Sequence, residues 1–279
     1  MPKEHMGRNL LATGLTIAGV ALGLQKHKSI QEQLNAEAHG AIPPIVEHLS
    51  GRYGVDLALQ ISEYERDLGF PFEEPLPVDS LRAARVIQDE LSILPPDLVK
   101  KIGPKRIVLS DRFGYVGFGE MTGFTFPKCA FVYISTHKGD LTRDNSHRLT
   151  LGHDVQHEFH HVADASDDIW VDDQAWNQLS SKSNKFHIFG HPGFISEYAQ
   201  AGPNEDQAEI AALLFKQNTP QGREAYDQID DPIVLAKVEE MKRRYEEWSD
   251  GLISDQYWID LRAGIVGEAY WNERDVNRD

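Results

Sequence analysis

Residues 153–164 read HDVQHEFHHVAD, with four histidines in nine positions and two carboxylates among them. On a helix, positions i and i+4 share a face, so two histidines so spaced can aim their imidazoles at one metal ion. Two such pairs occur, His153 with His157 and His157 with His161. The second forms H-E-x-x-H, and its Glu158 lies about 100° round the helix from His157. From there a carboxylate reaches a water at the metal without binding the metal itself. The first pair repeats the pattern as H-D-x-x-H, but Asp154 is one methylene shorter and reaches less far. His160 is rotated away from the His157/His161 face. The whole stretch must therefore be one helix, predicted over roughly residues 146–164, with its histidine face against a third ligand.

The rest of the chain bounds what surrounds that helix. Its 279 residues suffice for one sizeable domain, and 41% hydrophobic with 26% charged residues builds an ordinary soluble core. A formal charge of −16 argues against nucleic acid as a partner, because phosphate binding needs clustered Lys and Arg. It biases the molecule weakly towards cationic peptides. The single cysteine, Cys129, excludes an internal disulfide framework.

At the N-terminus, Leu10 to Leu24 is an uncharged apolar run of 15 residues behind Lys3 and Arg8. It is short of the roughly 20 residues that span a membrane, but it suits the core of a signal peptide. Residues 1–28 are accordingly expected to be a signal peptide or membrane anchor, giving a secreted or membrane-associated protein. The plainer alternative is a Gly- and Ala-rich helix of a cytoplasmic protein.

Val78 to Leu94 has helical apolar spacing and is stopped by Pro95-Pro96. Arg106 to Ser110 and Ala130 to Ser135 are rich in β-branched and aromatic residues and read as strands, with a further strand near Phe124 to Phe126. Asp231-Pro232 opens a helix amphipathic through Val234, Val238, Met241, Tyr245 and Trp248. Helices are also expected from Glu205 to about Gln217, capped at Pro203-Asn204, and from Gln256 to Tyr270. Residues 29–279 thus predict one α+β domain in which a small mixed sheet rests on helices.

A catalytic zinc takes three protein ligands and leaves one position for water. Glu205 and Glu209 are i and i+4 in the first turns of a predicted helix. Glu205 completes a His/His/Glu set, and Glu209, one turn on, is placed to accept the outer N–H of a ligand histidine. Asp206 reads as an acid favoured by the helix dipole. His187 and His191 are also four apart, but Gly190 and Pro192 argue against a helix there, which removes the shared face.

The stretches HEFHHVAD (157–164) and NEDQAEIA (204–211) resemble the gluzincins, zincin metallopeptidases whose third zinc ligand is a glutamate. Within them they most resemble the catalytic domain of anthrax lethal factor and its bacterial relatives. The likeness spans roughly residues 106–215. It implies a zincin-like fold around an active-site helix, Zn2+ on His157, His161 and Glu205, Glu158 as general base, and a peptide or protein substrate. It also implies that Tyr198, seven residues before Glu205, stabilises the oxyanion. Gln207 departs from the pattern, where an aromatic residue is usual. A peptide would add to the sheet as a strand, and Phe131 to Ser135 is the candidate edge. The competing functions are a catalytically silent zincin-fold binding protein and a structural protein whose motif is accidental.

Overall fold

In a computed structural model of the protein, residues 32–60, 62–63, 72–111, 113–115, 119–121, 123–126, 130–136, 144–166, 174–180 and 192–276 are described. The N-terminal apolar run, Cys129, His187 and His191 lie outside them. No helix among the described residues is long and apolar enough to cross a membrane.

Short β-branched and aromatic runs make the sheet: β1 (Asp56–Ala58), β2 (Arg106–Ser110), β5 (Gly123–Phe126) and β6 (Phe131–Ser135). Their order is β1-β2-β6-β5. β1, β2 and β6 run parallel, and β5 returns antiparallel to β6, pairing Gly123 with Ile134 and Phe126 with Phe131. A separate antiparallel hairpin joins β3 (Phe113–Tyr115) to β4 (Gly119–Met121).

Side chains alternate across a strand, so each strand serves two faces. Ile107, Leu109, Val132 and Ile134 enter the main core with the helices. Val108 and Tyr133 point the other way, into a small cluster closed by Phe72, Phe124 and Phe126.

The helices are α1 (residues 32–48), which tightens into a π-turn at Leu49–Tyr53, α2 (Pro77–Ser92) and α3 (Pro96–Ile102). Then come α4 (Asp144–Ser166), which carries the histidines, and α5 (Gln174–Ser180). After a 3-10 turn at Tyr198–Ala201 follow α6 (Pro203–Phe215), α7 (Pro220–Asp227), α8 (Pro232–Trp248), α9 (Asp255–Arg262) and α10 (Glu268–Val276).

Leu151, Val155, Phe159 and Val162 form a buried stripe along α4 at helical spacing. That stripe fixes the helix's rotation and leaves His153, His157 and His161 on a different face, against α6. The apolar stripe of α8 is buried at all five expected positions, and the Asp231 side chain caps it by accepting from the Ile233 and Val234 amides.

Three expectations are corrected. Phe131 to Ser135 is not an edge, because β2 and β5 pair with its two sides. Among the described residues, the edge nearest the motif helix is β5. The helix expected from Gln256 to Tyr270 is two helices, broken where Gly264 takes a left-handed φ of 71°. The cap of α6 is Gly202, with Pro203 in the first helical position, where its missing N–H costs nothing.

Candidate metal centre

His157 and His161 stand one turn apart on α4, and their Nε2 atoms are 3.1 Å from each other. Glu205, in the first turn of α6, reaches across. Its Oε2 lies 3.1 Å from His157 Nε2 and 3.3 Å from His161 Nε2. Three potential ligand atoms thus form a nearly equilateral triangle. A tetrahedral ion with bonds of ~2.0–2.1 Å has edges of roughly 3.3–3.4 Å, so the triangle approximates one face of such a tetrahedron. The donor set fits a zinc-type cation in number, kind and spacing.

Electrostatics point the same way. Burial alone would raise the Glu205 carboxyl, yet the hydrogen bonds and charges of His157 and His161 outweigh it and hold the group at about 2. Burial alone would lower the His157 imidazole, yet its bonds to Glu205 and Glu209 push it up to about 10. The cluster therefore favours positive charge at its centre, supplied by a proton or by a metal ion.

Glu158 leaves this face towards β5, at 6% exposure. Its carboxylate accepts from the Thr125 hydroxyl and presses on the Gly123 backbone, where a Cβ would fall 2.4 Å from Oε1. Only glycine admits the carboxylate so close to the edge strand. Burial dominates the environment of Glu158 and raises its carboxyl, making it a better base than an exposed glutamate.

Glu209 lies one turn beyond Glu205, with Oε1 3.1 Å from His157 Nδ1 and 2.8 Å from His153 Nε2. Its Oε2 accepts from Ser196 Oγ at 2.7 Å, and Ser196 Oγ accepts from the Ala199 amide. His153, His157 and Glu209 form a second group of metal-ligand types that shares His157 with the first.

Tyr198 is 56% exposed, and its ring centroid is 5.7 Å from that of His157. Partial burial, followed by the negative field of Glu205 and Glu158, raises its phenol well above the ordinary range, so the hydroxyl remains a donor far into alkaline pH.

The remaining motif residues are structural. His160 is buried between Tyr245 Oη at 3.3 Å and Gln207 Oε1 at 3.5 Å, and burial holds it neutral. Gln207, the departure from the gluzincin pattern, also accepts from Arg244 at 3.2 Å, forming a polar bridge to α8. Asp206 is no exposed dipole partner. It is fully buried, 2.6 Å from Lys237 Nζ, and accepts from Trp176 Nε1 at 3.1 Å. Thr125, Ser196 and Lys237 carry no motif signal, because each meets its partner only through tertiary packing.

No protein-family model matches the chain, and no curated protein matches it by sequence. Among solved structures it is similar to a candidate zinc-binding metallopeptidase from Bacteroides caccae, with a TM-score of 0.50 and 17% identity, covering 87% of this chain and 95% of that one. At that identity the likeness concerns the fold alone, an α+β one.

Proposed function

We propose that the protein is a zinc-dependent peptidase of the gluzincin type that hydrolyses peptide bonds. The observation that carries this is the triangle of His157 Nε2, His161 Nε2 and Glu205 Oε2, with the Glu158 carboxylate one residue away on the same helix. Zinc bound there would supply Lewis acidity towards the scissile carbonyl and lower the pKa of water towards 7. Glu158, fixed by Thr125 and Gly123, takes the proton of the attacking water and passes it to the leaving amine. Tyr198 donates to the oxyanion of the tetrahedral intermediate, an electrostatic contribution of about 2–4 kcal/mol. Glu209 accepts from His157 Nδ1 and fixes its tautomer. The substrate is a peptide or protein segment that adds to the open side of β5. The resemblance to the lethal factor group favours the same assignment. In this proposal residues 29–279 form one peptidase domain, and residues 1–28 export or anchor it.

The test is cleavage of a peptide library by the purified protein before and after chelation. Hydrolysis that stops on chelation and returns with one equivalent of zinc is the expected result. Zinc-loaded protein that cleaves nothing in the library would instead make the chain a silent binding protein.

A further inference from the structure

Two clusters of the same residue types share His157, one with His161 and Glu205, the other with His153 and Glu209. Their geometries differ. In the first, three atoms on three side chains stand 3.1–3.3 Å apart in a closed triangle. In the second, Glu209 Oε1 is 2.8 Å from His153 Nε2 and 3.1 Å from His157 Nδ1, so His157 takes part through its other ring nitrogen, the one that faces away from the triangle. The rings of His153 and His157 are also farther apart, with centroids at 5.9 Å against 4.8 Å for His157 and His161. With Nε2 of His157 committed to the triangle, its Nδ1–H is left to donate to Glu209, and Glu209 Oε1 is then a shared acceptor between His157 and His153.

We infer that His153 is a positioning residue rather than a ligand: it pins Glu209, and through Glu209 it orients His157. The inference rests on the proposed zinc site and names a further residue of that site. A histidine that binds a metal through Nε2 carries its proton on Nδ1, and the partner of that proton sets the ring's orientation. Glu209 is that partner, but a glutamate side chain has three torsions to fix. Ser196 holds Oε2 at 2.7 Å and is itself held by the Ala199 amide at 3.0 Å. His153 supplies the remaining restraint on Oε1, from one turn earlier on the helix that carries His157. The backbone of α4 thereby sets both the ligand and the clamp on its partner. A neighbouring cavity lined by His153, Ile195 and Val234 leaves space for substitutes at position 153.

The experiment measures zinc affinity by competition with a chelator, on the full chain, for wild type, His153→Leu, His153→Gln, His161→Ala, Glu209→Ala and the double variant His153→Leu/Glu209→Ala. Leucine fills the space without a donor, whereas the amide of glutamine places an N–H near the position of His Nε2. The expected result is one zinc per chain in all but His161→Ala, which loses it, with affinity weakened about 10–100-fold in His153→Leu and close to wild type in His153→Gln. The double variant should bind no more weakly than Glu209→Ala alone, because both changes break one chain of contacts. A residue that merely filled space would not distinguish leucine from glutamine. If wild type binds zinc and His153→Leu binds it equally well, this inference alone is overturned. A His153→Leu protein that loses its zinc outright, while His161→Ala keeps it, would make His153 a ligand and overturn it as well. A wild type without zinc affinity would overturn the peptidase proposal, and this inference with it.

Discussion

Replacing Glu158 by glutamine preserves volume and the bond from Thr125, and it removes the group that takes a proton from water. Glu158→Gln should keep stoichiometric zinc and lose nearly all hydrolysis. Wild-type turnover in that variant would remove the general-base role, and loss of zinc would make Glu158 structural. Tyr198→Phe removes one hydroxyl and leaves the ring beside His157. The expected cost is about 10²–10³ in kcat with little change in KM, since the bond forms only in the transition state. An unchanged kcat would return Tyr198 to a surface role, which its exposure otherwise suits. At this scale the sequence is informative where spacing alone sets geometry. His157, Glu158 and His161 follow from the turn of one helix, and Glu205 and Glu209 from the next. Thr125 meets Glu158 from 33 residues away, and Ser196 meets Glu209 from 13, through contacts that no periodicity encodes.

The two helices and the edge strand carry their own tests. Gly123 on β5 touches the carboxylate of Glu158, and a methyl there collides with the flexible end of that side chain rather than with backbone. Gly123→Ala should therefore displace the carboxylate, lowering kcat while zinc content and melting temperature hold. A variant with normal kcat would show that Glu158 works equally well away from the strand. Asp206, beside Glu205 at the start of α6, is paired with Lys237 of α8, and both are fully buried. Lys237→Met leaves a buried carboxylate without its cation, a loss of about 3–5 kcal/mol. For a domain of this size that is roughly 10 °C in Tm by thermal unfolding. A Tm within a degree or two of wild type would mean that Asp206 is protonated or reaches water. Neither the ion pair nor the true edge was legible beforehand. Asp206 looked like any acid in a first turn, and the runs at 124–126 and 131–135 do not say which of them pairs on one side only.

Across the whole molecule, the order of helices, small sheet, motif helix and further helices was readable from local patterns, and the α+β architecture follows it. The left-handed break at Gly264 is not legible in the sequence, because the apolar residues on either side continue a helical rhythm. The metal centre makes a pH prediction. Without metal, the bonds to Glu205 and Glu209 hold His157 protonated up to about 10, and zinc binds only the deprotonated ring. Binding thus releases a proton at neutral pH, so affinity falls as pH falls, about tenfold per unit for one proton. Zinc titrations at several pH values would check this, and an affinity independent of pH would contradict it.

Where the metal sits can be seen in an anomalous-difference map at the zinc edge, from crystals grown with one equivalent of zinc. One peak is expected, ~2.0–2.2 Å from His157 Nε2, His161 Nε2 and a Glu205 oxygen. A peak between His153 and Glu209, or none near α4, would contradict it.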